Sequence, residues 1–139
     1  MLFFYRSLTF LFFPLFIGLI YFRKIINKEH KERYKEKIFS SSFKSNRNVL
    51  KKLYWFHAAS IGETLSIIPL IKKLNENNQD LDFLITTVTL SSSNLLEKEL
   101  KNFKNINHRF FPLDSNHLVK KFLELWKPNL VCFVDSEIW

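Results

Sequence analysis

Four strand-like runs, at residues 53–57, 83–88, 107–111 and 130–134, are each separated from the next by a stretch with helical character. Leu65, Ile68, Ile71 and Leu74 recur at helical spacing over 63–75. Leu95, Leu96 and Leu100 do the same in a helix that Ser91 or Ser92 caps and that runs to about 103. A third helix runs over 115–126 and is closed by Pro128; Asn77, Asn78 and Asp80 supply a turn, and Pro112 ends the third strand. Strands that alternate with helices do not pair as hairpins but through crossovers. These crossovers are right-handed almost without exception, so the pattern specifies a parallel α/β sheet.

Ligands of such sheets bind at the C-terminal ends of the strands. The first of these ends is Trp55-Phe-His-Ala-Ala-Ser-Ile-Gly-Glu63, an apolar run that breaks into small residues and then opens a helix. Ser60 and Glu63 stand at capping-box spacing. The helix macrodipole favours a carboxylate at Glu63. A carboxylate beside a ligand crevice is also a candidate general base, a role worth ~10²–10⁴ in rate. Spacing alone favours capping over chemistry. Gly62, one of two glycines, costs a helix ~1 kcal/mol against alanine. Its use points to a ligand that comes close to the backbone. Ser60, Gly62 and the free N–H groups of the helix start suit a phosphate or a sugar hydroxyl. His57 could reach the same crevice, or serve only as a structural residue among aromatics. Thr86, Thr87 and Thr89 at the end of the second strand, and Asp135 and Glu137 at the end of the fourth, share that rim.

Other chemistries leave no trace. There is no glycine-rich phosphate loop, no G-x-S-x-G elbow and no metal-ligand spacing, so neither a metal nor a cofactor is expected. Cys132 is the single cysteine, which rules out an intramolecular disulfide and fits a reducing compartment.

The charge is concentrated. Residues 23–52 hold eleven Lys/Arg against three Glu, so the whole net charge of +8 lies there, directly after an apolar segment. Residues 8–22 carry no charge, and extension back to Leu2 takes in only Arg6 and reaches the ~20 residues that span a bilayer. The basic cluster on its C-terminal side keeps the remainder in the cytoplasm by the positive-inside rule, while Pro14 and the short length leave an interfacial anchor open as well. A basic segment flanking an apolar one suits an anionic membrane surface better than a nucleic-acid groove, because the aromatics are not interleaved with the basic residues. Residues 29–39 read as a charged helix and 40–48 as a polar linker. The expected organisation is a membrane anchor over 1–22, a basic helix and linker over 23–48, and an α/β domain over 49–139. Because the chain stops directly after a buried-looking strand, this domain is expected to be truncated.

His57-Ala-Ala-Ser-Ile-Gly-Glu63 closely resembles the H-[AST]-[AV]-S-[VI]-G-E signature of bacterial 3-deoxy-D-manno-octulosonic acid (Kdo) transferases. Further landmarks resemble that family in order: Pro69-Leu-Ile, Thr86-Thr-Val-Thr89, Phe111-Pro-Leu-Asp114, Lys127-Pro128 and Asp135-Ser-Glu-Ile-Trp139. The resemblance extends to the anchor and to Arg33-Tyr-Lys-Glu-Lys37. It implies a Rossmann-like, acceptor-binding N-terminal half of an inverting GT-B glycosyltransferase. The activity implied is transfer of Kdo from CMP-Kdo to a lipid A precursor, lipid IVA, at the cytoplasmic face of the bacterial inner membrane. It further implies that a missing C-terminal domain binds the donor, that Glu63 is the proton acceptor and Asp135 an auxiliary carboxylate, and that Ser60, Gly62 and Thr87 lie near the acceptor. Asp135 stands where the family usually has Glu, and Leu90-Ser91-Ser92 where it has P-T-G. The alternative is a non-catalytic, membrane-tethered α/β binding module.

Overall fold

The computed structural model describes residues 2–45, 47, 49–78 and 80–134, with side chains from Leu11 onward. The chain divides into two compact units, one of residues 1–44 with 112–125 and the other of 45–111 with 126–139.

In the first unit, α1 (Leu2–Ile25) contains Pro14 and ends in a Schellman arrangement. Asn27 takes a left-handed φ of 56°, its N–H reaches Lys24 O, and Lys28 N–H reaches Arg23 O at 2.8 Å. Leu11, Leu15, Leu19, Phe22 and Ile25 fall at helical spacing and are each more than half exposed. Among the described residues no helix is long and apolar enough to cross a membrane, so no spanning anchor is shown.

The expected helix over 29–39 does not form. A short 3₁₀ turn, Arg33–Lys37, replaces it. The cause is Glu29, whose buried carboxylate pairs with Arg23 at 2.9 Å and Lys37 at 2.5 Å and so folds the segment back on α1. His30 Nδ1 then accepts from the Glu32 and Arg33 amides. Ile20, Tyr34 and Ile38 pack together with Ile17 and Leu113, and Leu113 N–H donates to Lys37 O. Most of α4 (Asn116–Trp126) belongs to this unit, where Phe122 meets Phe43 edge-on.

The second unit is the sheet. Its elements are β1 (Lys52–Ala58), α2 (Ile61–Asn77), β2 (Leu81–Thr87), α3 (Leu90–Leu100), β3 (Ile106–Phe110) and β4 (Leu130–Phe133). All strand pairs are parallel, in the order β3-β2-β1-β4. This is a Rossmann-like order, in which the chain leaves β1 toward β2 and returns on its other side as β4. All seven residues of β2 are buried, as expected of a central parallel strand covered on both faces. Phe56, Phe83 and Ile85 form a core with Ile67, Ile71 and Leu96 from α2 and α3. Burial of each such side chain stabilises by ~1.5–3 kcal/mol. Thr89, rather than Ser91 or Ser92, caps α3. It is the extended residue before the helix, and its hydroxyl accepts from Ser92 N–H at 3.2 Å.

Candidate functional site

Parallel register brings the strand ends into line: Ala58 pairs with Thr87, Thr87 with Phe110, and His57 with both Thr86 and Phe133. The order reverses between β1 and β4, which is the switch point where open α/β sheets bind ligands. Val134 N–H continues the β4 pairing by donating to His57 O at 2.9 Å.

α2 starts at this point. Ser60, extended at φ −112° and ψ 166°, accepts Glu63 N–H on its hydroxyl at 3.2 Å and donates that hydroxyl to Glu63 Oε1 at 2.5 Å. Ala59 N–H donates to Glu63 Oε2 at 2.8 Å. The capping box therefore forms, shifted by one residue, since the carboxylate takes the amide before the cap rather than the cap's own. Each carboxylate oxygen has one donor. A carboxylate offers about four lone-pair sites, so half of its acceptor capacity remains. Glu63 is half-buried and Ser60 exposed. Gly62 is exposed as well, and a Cβ there would meet only Ser60 Oγ at 4.0 Å. Among the described residues no packing requires glycine at this position.

On the sheet face that carries Trp55 and His57, a second constellation forms. Trp55 Nε1–H donates to Thr86 Oγ1 at 2.8 Å, and His57 Nδ1 lies 2.9 Å from that same oxygen. The imidazole stands 4.2 Å from the Phe111 ring and meets Phe133 edge-on at 5.4 Å. Burial pushes the His57 pKa below its ordinary value, against the opposing pull of the Thr86 backbone and the Glu63 carboxylate.

Ser60, Gly62 and Glu63 are thus gathered at one helix start. Thr87 is fully buried on the other sheet face, with its hydroxyl 2.9 Å from His108 Nε2. Asp135 and Glu137 lie outside the described residues. Sequence reasoning missed His108 as the partner of Thr87, and Phe111 and Phe133 as the walls around His57. Two-residue alternation along strands of known register would have found them. Among the described residues no group of three or more His, Cys, Asp or Glu is placed to hold a metal ion.

A parallel four-stranded sheet in the order β3-β2-β1-β4, with a carboxylate-led helix starting at its switch point, defines an α/β domain of the Rossmann-like class. Residues 28–139 match the family model described as 3-Deoxy-D-manno-octulosonic-acid transferase (kdotransferase). The chain belongs to that family. It is 34% identical over 135 residues to the 3-deoxy-D-manno-octulosonic acid transferase of Rickettsia bellii, a match covering 97% of this chain and 31% of that protein. It is 35% identical to the probable mitochondrial 3-deoxy-D-manno-octulosonic acid transferase of Arabidopsis thaliana, over 97% of this chain and 29% of that one. The Haemophilus influenzae 3-deoxy-D-manno-octulosonic acid transferase is 26% identical, over 99% and 31%. The chain therefore spans about three-tenths of the length of these relatives. No solved structure matches it. The parallel four-stranded sheet is consistent with the N-terminal domain of a Rossmann-like glycosyltransferase.

Proposed function

We propose that this chain forms the acceptor side of an inverting GT-B glycosyltransferase that moves Kdo from CMP-Kdo to lipid IVA. The observation that carries the reading is the Glu63 carboxylate, pinned at the switch point by Ser60 and Ala59 yet with free acceptor capacity. In the proposed step the 6′-hydroxyl oxygen of the acceptor forms a bond to the anomeric carbon of Kdo while the bond from that carbon to the CMP phosphate oxygen breaks. The hydroxyl proton passes to Glu63 and CMP leaves with the bonding pair. Ser60 holds the base, and Gly62 leaves the helix start open to the acceptor. Asp135 would supply a second carboxylate. The donor would be held by a C-terminal portion such as the longer relatives have room for.

The acceptor in this reading is an anionic lipid. The exposed apolar stripe on α1 and the exposed Lys28, Lys31 and Lys35 that follow it support a seat at the cytoplasmic face of the inner membrane, with the stripe in the acyl boundary and the lysines among headgroups. A second reading, a membrane-tethered binding module without turnover, is favoured by one observation: both Glu63 oxygens already serve the helix cap.

The test is to supply a family C-terminal portion, fused or co-expressed, and to assay Kdo transfer to lipid IVA. Glu63→Gln keeps a capping-box side chain and should lower the rate by ~10²-fold or more at unchanged helix content. Transfer at the wild-type rate would rule out the base assignment. Lipid IVA binding without transfer under every pairing would establish the binding module.

A further inference from the structure

The Glu63 carboxylate takes both of its donors from one turn: Ala59 N–H at 2.8 Å on Oε2 and the Ser60 hydroxyl at 2.5 Å on Oε1. Its direction is therefore only as fixed as that turn. Ser60 is exposed, so water competes for its side-chain bonds. The turn is fastened from the buried side, at the Ser60 carbonyl. This oxygen accepts twice from Thr64, from the backbone N–H at 3.1 Å and from the side-chain hydroxyl at 2.7 Å. A carbonyl oxygen has two lone pairs, so the second bond does not displace the first. Thr64 is fully buried, whereas Glu63 beside it is half-buried. A helix hydroxyl that bonds a carbonyl of the preceding turn is common in itself, and α2 holds a second case for comparison. Ser66 donates to the Glu63 carbonyl at 2.7 Å from an exposed position. Water can replace that bond, and it does not reach the turn that carries the two donors. The Thr64 bond, by contrast, combines burial with a grip on the residue that holds the carboxylate.

We propose that Thr64 is a positioning residue for Glu63: its hydroxyl, through the Ser60 carbonyl, holds the turn whose two donors aim the carboxylate. Thr64 acts through Ser60 and not on the acceptor itself. A base that is held in one geometry reacts faster than one that must find it. The inference deepens the acceptor-side reading above and rests on it for the effect on transfer; the hold on the carboxylate does not depend on that reading.

The experiment uses the full chain in detergent, labelled with ¹³C and ¹⁵N. Three-bond couplings should show the Glu63 side chain in one χ1 rotamer. Thr64→Val, which keeps the shape and removes the hydroxyl, should average those couplings over several rotamers. Thr64→Ala should do the same if the Val variant does not fold. Thr64→Ser should keep the single rotamer, and so should Ser66→Ala. In the complemented transfer assay Thr64→Val should lower kcat roughly threefold to tenfold, the worth of one neutral hydrogen bond, at unchanged KM. Thr64→Ser should restore it. A single Glu63 rotamer in the variants without the hydroxyl overturns the proposal. So does equal averaging in Ser66→Ala, which would reduce the effect to helix stability. Averaged couplings with kcat unchanged overturn the positioning role and keep the acceptor-side reading. A parent chain that transfers nothing under any pairing, with the rotamer still released in Thr64→Val, overturns the base reading and upholds the hold on the carboxylate.

Discussion

Ser60 and Glu63 hold each other at both ends: the Glu63 amide donates to Ser60 Oγ at 3.2 Å, and the Ser60 hydroxyl donates to Glu63 Oε1 at 2.5 Å. One side chain thus ends the strand turn, starts the helix and sets the rotamer of the carboxylate. Ser60→Ala should lower stability by about 1 kcal/mol, read from urea unfolding, and should also loosen Glu63. In the complemented transfer assay kcat should fall further than a cap alone accounts for, and Ser60→Thr should restore both. Loss of stability with kcat unchanged would separate the cap from the chemistry.

His57 gives the sheet unit a defined response to acid. Its folded pKa is lowered, chiefly by burial, below the 6.5 of the unfolded chain. Between those two values the unfolded state binds the extra proton, so stability is full above about pH 6.5 and declines as pH falls toward the folded pKa. Urea midpoints measured from pH 7.5 down to 5 should show this decline, and His57→Gln should flatten it over the same window.

The buried ion pair of Glu29 and Lys37 makes a contrasting prediction. Glu29→Ala removes the buried carboxylate that pairs with both Arg23 and Lys37, whose side chain is 6% exposed, and breaking a buried ion pair by removing one member typically costs ~3–5 kcal/mol. Amides of residues 23–38 should lose hydrogen-exchange protection while those of β1 and β2 keep theirs. Replacement of both partners, Glu29→Leu with Lys37→Met, should recover most of the loss, because removing both charges also removes their desolvation.

For α1 the measurable quantity is lipid partitioning. The chain should float with anionic vesicles at low salt, and Leu15→Glu combined with Leu19→Glu should abolish flotation without altering the β-sheet spectrum. Added salt should weaken but not eliminate binding by the parent protein, since the lysine contribution is screened and the apolar one is not.

The sheet was legible because its signals are local. Alternating helical and strand patterns with short connections leave little besides crossovers, and every strand and helix from Lys52 onward lies within two or three residues of its expected place. Glu63 and Ser60 were legible for the same reason, as a cap is a four-residue event. What failed depended on contacts distant in sequence or on a choice among neighbours. Residues 29–39 carry a good i,i+4 charge pattern, but Glu29 gains two partners by folding back, and that beat the solvated helix. Thr89, Ser91 and Ser92 all suit a cap; only the backbone decides that Thr89 is the extended one. Thr87 stands beside the rim in sequence, yet side-chain alternation turns its hydroxyl toward His108.

Residues 112–125 leave the sheet to join the first 44 residues, so the N-terminal unit is stitched from two pieces of chain rather than one. Trimming away the first 44 residues to gain solubility would strip Leu113 of Tyr34 and Ile38, and Phe122 of Phe43. The shortened protein would trade one greasy helix for a freshly bared apolar seam. Detergent, rather than scissors, is the way to handle this polypeptide.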